Sequence, residues 1–197
     1  MPDVGVERII ITDKPTGRGS WRFKAARLLH PNATRLYHQI FADLGMSLLP
    51  GDCETRVPME DFRAGYDYGQ SIDVWLRFPS GLCAGLQEKF LFTDFKTVTV
   101  EYEQNPETGE KGDWFKMGCP YLFVGYCKME KRPGERVFDD HFWLYVLLDW
   151  PELQRETAKG NVDWILRYPQ YDGARASFNF AYIDQLPSSC IIAKYEE

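Results

Sequence analysis

The amino-acid sequence predicts an α+β fold, with the related α/β class left open, in which helices flank a mixed β-sheet core. Two observations lead to this class. Apolar residues recur at helical spacing within residues 18–45, and short strand-like segments then follow one another over residues 67–150. The chain has 197 residues, 44% of them apolar, which suits a single domain with a sizeable core.

The N-terminal segment is predicted to open with a short strand and to continue as two helices. Residues 7–12 form a β-branched run, and a loop rich in Gly and Pro follows it. The first helix spans residues 21–30, and Pro31 is expected to break it because proline lacks an N–H donor. The second helix spans residues 32–44.

The middle of the chain is predicted to form the sheet. Strands at residues 72–78 and 83–92 are separated only by the turn Pro79-Ser80-Gly81, so they are expected to form an antiparallel hairpin. The remaining elements are strands at residues 97–103, 121–129 and 142–148, a short helix at 112–118, a helix at 151–159, and edge strands at 178–183 and 190–194. One domain, residues 1–197, thus comprises a basic helical segment (18–45), a core sheet (67–150) and a C-terminal helix with edge strands (151–197).

The formal net charge of −6 is unevenly distributed. Residues 1–45 carry seven Lys or Arg against four acids, a net charge of +3, whereas the remaining chain carries −9. A basic end on an acidic body fits contact with a polyanion, although a solvated basic surface explains it equally well. No apolar run approaches the roughly 20 residues of a membrane helix, and the five cysteines and three histidines lack metal-ligand spacing. We therefore expect a soluble, cytoplasmic protein without a zinc or iron–sulfur site.

The chemically distinctive residues lie on the predicted hairpin. Asp73 stands near the start of the first strand, and Gln87, Glu88 and Lys89 interrupt the apolar sequence of the second. Strand alternation places Gln87 and Lys89 on one face and Glu88 on the other. Because a buried amide or ammonium needs a polar partner or water, Gln87 and Lys89 are expected to meet Asp73. On the opposite face, Glu88 either pairs with a basic group from a covering helix or is rotated into the site by a bulge.

This pattern resembles the core motif of the PD-(D/E)XK, or restriction-endonuclease-like, superfamily of metal-dependent nucleases. That motif has an acid on one strand, a turn, and an acid-x-Lys sequence on the neighbouring strand, usually after a helix. Asp73 matches the first position and Lys89 the last, while Gln87 replaces the middle acid, as in some branches of the superfamily. The sequence GQSID at residues 69–73 also resembles the entry into the first strand. The resemblance covers roughly residues 20–150, but three residues carry its specific part.

The resemblance implies a nuclease that hydrolyses the phosphodiester bonds of DNA. Cleavage within the strand is favoured over cleavage from its ends, and the resemblance is compatible with a homodimer. Asp73, Gln87 and the main-chain carbonyl of Glu88 would bind Mg²⁺ or Mn²⁺, because hard cations favour oxygen ligands. The ion would activate a water molecule and polarise the phosphate. Lys89 would orient that water or stabilise the developing charge.

Gln87 weakens the expected metal site because an amide oxygen carries no net charge. A further acid is therefore expected nearby. Asp67 lies six residues before Asp73, while Asp43 and Glu54 flank the passage from helix to sheet, where the superfamily often supplies an extra acid. The sequence does not choose among these three acids.

The basic N-terminal segment supplies candidate contacts to nucleic acid. The cations concerned are Arg18, Arg22, Lys24 and Arg27. They are interleaved with Trp21 and Phe23, so the cations would grip phosphates while Trp21 offers a stacking surface. Alternatively, both aromatic residues belong to the core and the long cationic side chains reach out to water.

Two other functions fit the same residues. The chain is then either a catalytically inactive nuclease fold that binds nucleic acid or a protein partner, or a β-rich structural or assembly protein. In an assembly protein, Lys89 would be engaged by a surface acid and Asp73 would point elsewhere. The acidic composition and Gln87 favour binding without catalysis, whereas Asp73 and Lys89 favour the nuclease.

Overall fold

The structure, a computed structural model, describes residues 8–12, 21–50, 71–168 and 176–197. These residues form a mixed α+β fold, as the sequence predicts. Three α-helices lie within the described ranges, namely α1 (Trp21–Asp43), α2 (Asp113–Lys116) and α3 (Trp150–Ala158). None of these three helices is long and apolar enough to cross a membrane.

Twelve β-strands in the described ranges form three sheets. The strands are β1 (Arg8–Thr12), β2 (Val74–Arg77), β3 (Cys83–Leu91), β4 (Thr97–Asn105), β5 (Glu110–Lys111), β6 (Tyr121–Tyr126), β7 (Met129–Arg132), β8 (Glu135–Asp139), β9 (Leu144–Asp149), β10 (Ile165–Arg167), β11 (Ser177–Tyr182) and β12 (Ile191–Glu196). The central sheet has the order β12-β9-β6-β3-β2, the side sheet β10-β11-β4-β5, and the small sheet β1-β8-β7.

The central sheet positions the residues of the predicted hairpin. β2 and β3 pair antiparallel, with Val74 opposite Leu86, which confirms the hairpin. β3 then pairs parallel with β6, and parallel neighbours require a long crossover connection. This crossover carries β4, β5 and α2. Because buried Val98 and Val100 of β4 share a core cluster with Leu122 of β6, the crossover covers one face of the central sheet.

The other face of the central sheet is covered by α1. Among the described side chains of α1, the buried ones recur at helical spacing and are Ala25, Leu29, Ala33, Tyr37, Ile40 and Phe41. They share a second core cluster with Val74, Leu86 and Phe123 of the sheet. Side chains that alternate along β3 therefore enter two different environments, one under α1 and one under the crossover.

The predicted break at Pro31 is wrong, because α1 runs through this residue without interruption. Proline in a helix interior costs about 3 kcal/mol through a lost hydrogen bond and a steric clash. Pro31 itself is exposed. The apolar face of α1 continues on both sides of it, from Ala25 to Phe41, and packs on the sheet. This tertiary packing offsets the local cost.

Strand neighbours also depart from the sequence predictions. The sequence does not predict the hairpin of β7 and β8, which turns at Pro133-Gly134. β11 was expected at an edge but lies between β10 and β4. β12 is an edge strand as predicted, yet it belongs to the central sheet, so this sheet is not confined to residues 67–150. Local patterns indicate strands, whereas long-range packing chooses their neighbours.

Candidate functional site

Asp73 is held at the point where β2 meets β3. Its backbone N–H donates to the carbonyl of Leu86 at 3.0 Å. Its carboxylate Oδ2 accepts a hydrogen bond from the backbone N–H of Glu88 at 2.8 Å. β2 begins at Val74, so the N–H of Glu88 on β3 lies past the first residue of β2. The Asp73 carboxylate accepts the hydrogen bond of this amide in place of a strand carbonyl. Asp73 is thereby fixed beside β3, next to the residues that the sequence singles out.

Gln87 carries an oxygen that lacks a partner. The residue is 5% exposed, and its Oε1 makes no hydrogen bond within the described part of the chain. A buried polar atom left unsatisfied costs about 1–3 kcal/mol, so it calls for an explanation. Gln87 directly precedes Glu88, whose amide binds the Asp73 carboxylate. A cation or a water molecule at this position would satisfy the amide oxygen.

Lys89 is engaged by an acid from the crossover. Its Nζ donates to Oδ2 of Asp113 at 2.5 Å, and Oδ1 of Asp113 accepts from Oγ of Ser71 at 2.8 Å. Ser71 has φ of 50°, the one positive value outside glycine in the described ranges. Such a conformation costs of order 1–3 kcal/mol and persists where surrounding contacts hold it. Asp113 thus ties α2 both to β3 and to the segment that leads into Asp73.

The charges around Lys89 influence one another. Burial acts to lower the pKa of Lys89, but the charge and hydrogen bond of Asp113, helped by Asp73 and Glu101, outweigh burial and raise it. Burial likewise acts to raise the pKa of Asp113, but Lys89 and Ser71 outweigh it and lower that pKa. For Glu101 of β4, burial prevails and raises the pKa. Lys89 and Asp113 are therefore both charged at neutral pH, and Glu101 is the acid whose protonation is favoured.

Gly112 allows α2 to approach β4 closely. Its backbone N–H donates to the carbonyl of Tyr102 at 3.0 Å. A Cβ atom at Gly112 would lie 2.6 Å from the backbone oxygen of Glu101, closer than real Cβ atoms approach. A strand carbonyl cannot move aside as a flexible side chain can. The glycine therefore permits the contact that brings the next residue, Asp113, to Lys89.

Glu88 lies on the opposite face of β3, under α1. Its side chain is 1% exposed. It accepts a hydrogen bond from the hydroxyl of Tyr37 at 2.7 Å and bonds Nδ1 of His30 at 3.0 Å. This confirms pairing with a covering helix rather than rotation into the site. Only the main chain of Glu88 therefore faces Asp73.

Two of the predicted nucleic-acid contacts are exposed on α1. Lys24 and Arg27, together with Ile10, Ile11 and Leu28, line an open groove of about 370 Å³. Because α1 covers the face that buries the Glu88 side chain, these cations lie across the central sheet from the ammonium of Lys89. The structure therefore does not bring the two groups of predicted residues together on one face.

Trp21 is partly buried and packs against the core, so it does not form an open stacking surface. Its ring packs edge-on against Phe92 at 5.1 Å, and the guanidinium of Arg136 lies 4.9 Å from the ring centroid. Arg18 and the side chain of Arg22 lie outside the residues that the structure describes. The core alternative therefore applies to Trp21.

The structure offers acids that the sequence does not single out. Asp43 is exposed at the end of α1, and the other two predicted acids, Asp67 and Glu54, lie outside the described residues. Asp113 and Glu101 instead act on Lys89. Asp113 opens a short helix, a common place for an acid, so no local signal distinguishes it.

The side chains present fit a hard divalent cation held by few protein ligands. Asp73 offers a carboxylate and Gln87 an orphaned amide oxygen, and Mg²⁺ commonly takes one or two carboxylates and keeps several waters. No group of three His, Cys, Asp or Glu side chains suited to a metal occurs within the described ranges. Asp113 is occupied by Lys89. The fit therefore rests on Asp73, Gln87 and water.

No family model, curated protein or solved structure matches this chain.

Proposed function

We propose that the chain has a restriction-endonuclease-like core and is a metal-dependent nuclease that hydrolyses phosphodiester bonds of DNA. The observation that carries the proposal is the orphaned Oε1 of Gln87, buried beside the residue whose amide binds Asp73. Strand alternation directs Gln87 to the same face as Lys89. A carboxylate before the start of β2, with an unsatisfied amide oxygen and an ammonium on β3, would combine a cation site with a positive group for the phosphate.

Each residue has a distinct part in the proposed reaction. Asp73, Gln87 and the main-chain carbonyl of Glu88 would hold Mg²⁺ or Mn²⁺. A bound ion of this kind lowers the pKa of water and polarises phosphate oxygens. Lys89 would stabilise the charge that develops on the phosphate, and Asp113 would hold the ammonium in place. Lys24 and Arg27 lie across the central sheet, so any phosphates that they bind would belong to a part of the substrate remote from the site.

A binding module without catalysis is the second candidate. It is favoured by Gln87, which supplies no charge for a metal, and by Asp113, which already neutralises Lys89. The same ion pair also fits a β-rich assembly protein. In an assembly protein, Asp73 would point away from Lys89. The charge of Asp73 nevertheless helps to raise the pKa of Lys89, and this proximity favours the nuclease.

A cleavage assay tests the proposed function. The full chain is incubated with supercoiled plasmid and with single- and double-stranded oligonucleotides, in Mg²⁺, in Mn²⁺ and in EDTA. We expect metal-dependent cleavage that falls by roughly 100-fold or more in Asp73→Asn and Lys89→Gln. Both substitutions remove a charge while keeping similar size and hydrogen-bonding groups.

Asp94→Asn and Lys131→Gln provide matched controls, because both residues are exposed. These controls should cleave like the wild type, and circular dichroism should show that all four variants are folded. Wild-type cleavage rates in both site variants would exclude the proposed site. DNA binding without cleavage in either metal would favour the binding module.

A further inference from the structure

A row of aromatic side chains lines the outer face of the side sheet. Phe178, Phe180 and Tyr182 occupy alternate positions of β11, so they share one face of the strand. Phe178 is 36% exposed and Tyr182 is 42% exposed. We call these three residues the aromatic row.

The aromatic row is not part of the core. The alternating residues Ser177, Asn179 and Ala181 are buried on the other face of β11, and Ala181 joins the cluster between the side and central sheets. The strand thus separates a buried face from an outer face that carries large rings. Clustered exposed apolar surface of this kind is typical of interaction sites.

A planar cation accompanies the aromatic row. Arg167 of β10 lies opposite Phe178 in the register, and its guanidinium is 5.3 Å from the ring centroid of Phe180. The rings of Phe180 and Tyr182 meet edge to face, at 86° and 6.0 Å. They therefore do not cover each other as stacked rings would. Flat rings beside an arginine are the combination on which unpaired bases stack.

The aromatic row borders β4 of the side sheet. On the β4 side, Phe178 lies opposite Glu101, whose electrostatic environment includes Lys89 and Asp113.

We propose that the aromatic row binds a single-stranded polynucleotide, with bases stacked on the rings and phosphates along the Arg167 side. This inference rests on the proposed nuclease function and names the form of its substrate. A duplex hides its base faces, whereas every unpaired base offers one. The net charge of −6 disfavours binding through phosphates alone. Stacking therefore supplies most of the affinity.

Binding is measured in EDTA, so that cleavage does not intervene. Fluorescence anisotropy compares a labelled single strand, the same strand with abasic positions, and its duplex, with both DNA and RNA strands tested. We expect the abasic strand to bind roughly 5- to 100-fold more weakly than the intact strand. The duplex should also bind more weakly, and binding of the intact strand should depend only modestly on salt.

Variants locate the binding surface. Phe178→Ala and Tyr182→Ala should each weaken single-strand binding by roughly 5- to 100-fold, while Tyr182→Trp should retain it. Tyr195→Ala is the matched control, because Tyr195 is 45% exposed on β12 of the central sheet. Hydrolysis of bis(p-nitrophenyl) phosphate with Mn²⁺ reports on the candidate site separately. It should be unchanged in the row variants, and its absence in the wild type would contradict the nuclease without affecting the binding result.

Three outcomes would overturn the inference. These are equal affinity for intact and abasic strands, wild-type binding in both alanine variants, and tighter binding of duplex. Sedimentation supplies a further check. Self-association of the wild type that Phe178→Ala abolishes would assign the aromatic row to an interface between two copies of the chain.

Discussion

The ammonium of Lys89 lies 2.5 Å from the carboxylate of Asp113, although 24 residues separate them in the sequence. The two side chains are only 23% and 19% exposed. Their contact follows from the crossover between β3 and β6, which carries α2 over the central sheet. The ion pair therefore ties the crossover to the strand beneath it.

Asp113→Asn should lower the free energy of unfolding by about 1–3 kcal/mol, because a largely buried ammonium loses its charged partner. Urea denaturation at neutral pH measures this change. Glu197→Gln is the matched control, since it removes the acid from the exposed pair of Lys128 and Glu197. The control should cause little change. Equal destabilisation by the two substitutions would contradict a special role for Asp113.

The contribution of Asp113 to stability should depend on pH. Its pKa is lowered in the folded protein from an ordinary value of 3.8. An acid whose pKa is lowered on folding stabilises the folded state at pH values above 3.8. This contribution is lost as the pH falls through the pKa of the folded state. The difference in unfolding free energy between wild type and Asp113→Asn should therefore shrink below pH 3.8. A difference that stays constant on acidification would show that the charge of Asp113 is not its source.

Gln87→Glu should convert an uncharged ligand into a charged one. Without metal, the buried carboxylate should lower the melting temperature. Titration with Mn²⁺ should then raise it more than in the wild type, because the new carboxylate binds the cation more strongly. Gln39→Glu is the matched control, since Gln39 is exposed on α1. The same metal-induced shift in all three proteins would show that Gln87 is not a ligand.

Tyr37→Phe should lower the free energy of unfolding by about 1–3 kcal/mol, because the buried carboxylate of Glu88 loses a donor. Tyr195→Phe removes a hydroxyl from an exposed tyrosine and should have little effect. Urea denaturation of both variants tests the contact. An equal change in the free energy of unfolding in Tyr37→Phe and Tyr195→Phe would mean that the hydroxyl of Tyr37 does not anchor Glu88.

Pro31→Ala should stabilise the protein by about 1–3 kcal/mol, because alanine restores a helical N–H within α1. Pro79→Ala should have the opposite sign. Pro79 occupies the second position of the turn in which the N–H of Gly81 bonds the carbonyl of Phe78, where proline suits the backbone. Its loss should cost about 0.4–1 kcal/mol. Thermal denaturation of both variants measures the two changes in stability. Destabilisation by Pro31→Ala would contradict a continuous α1 through residue 31.

The hairpin could be predicted because its signals are local. The turn after Phe78 and the alternation along β3 depend on neighbouring residues. They sufficed to place Gln87 and Lys89 on one face, with Glu88 on the other. The side-chain contacts of Glu88 with α1 confirm its orientation.

Asp113 could not be predicted because its importance depends on a long-range contact. Its local sequence shows an acid at the start of a short helix. Its position at Lys89 follows from the parallel pairing of β3 and β6 and from the close approach of Gly112 to β4. The continuity of α1 through Pro31 likewise depends on packing against the central sheet.

Sequence alone determined the α+β class, most strand segments and the opposite orientations of Glu88 and Lys89 on β3. Turn chemistry and side-chain periodicity act over a few residues, so they can be read along the chain. Tertiary structure decided which strands are neighbours, that Asp113 engages Lys89, and that the cations of α1 lie across the sheet from it. These relationships arise when surfaces distant in sequence are buried together, and the energy of that burial overrides local preference.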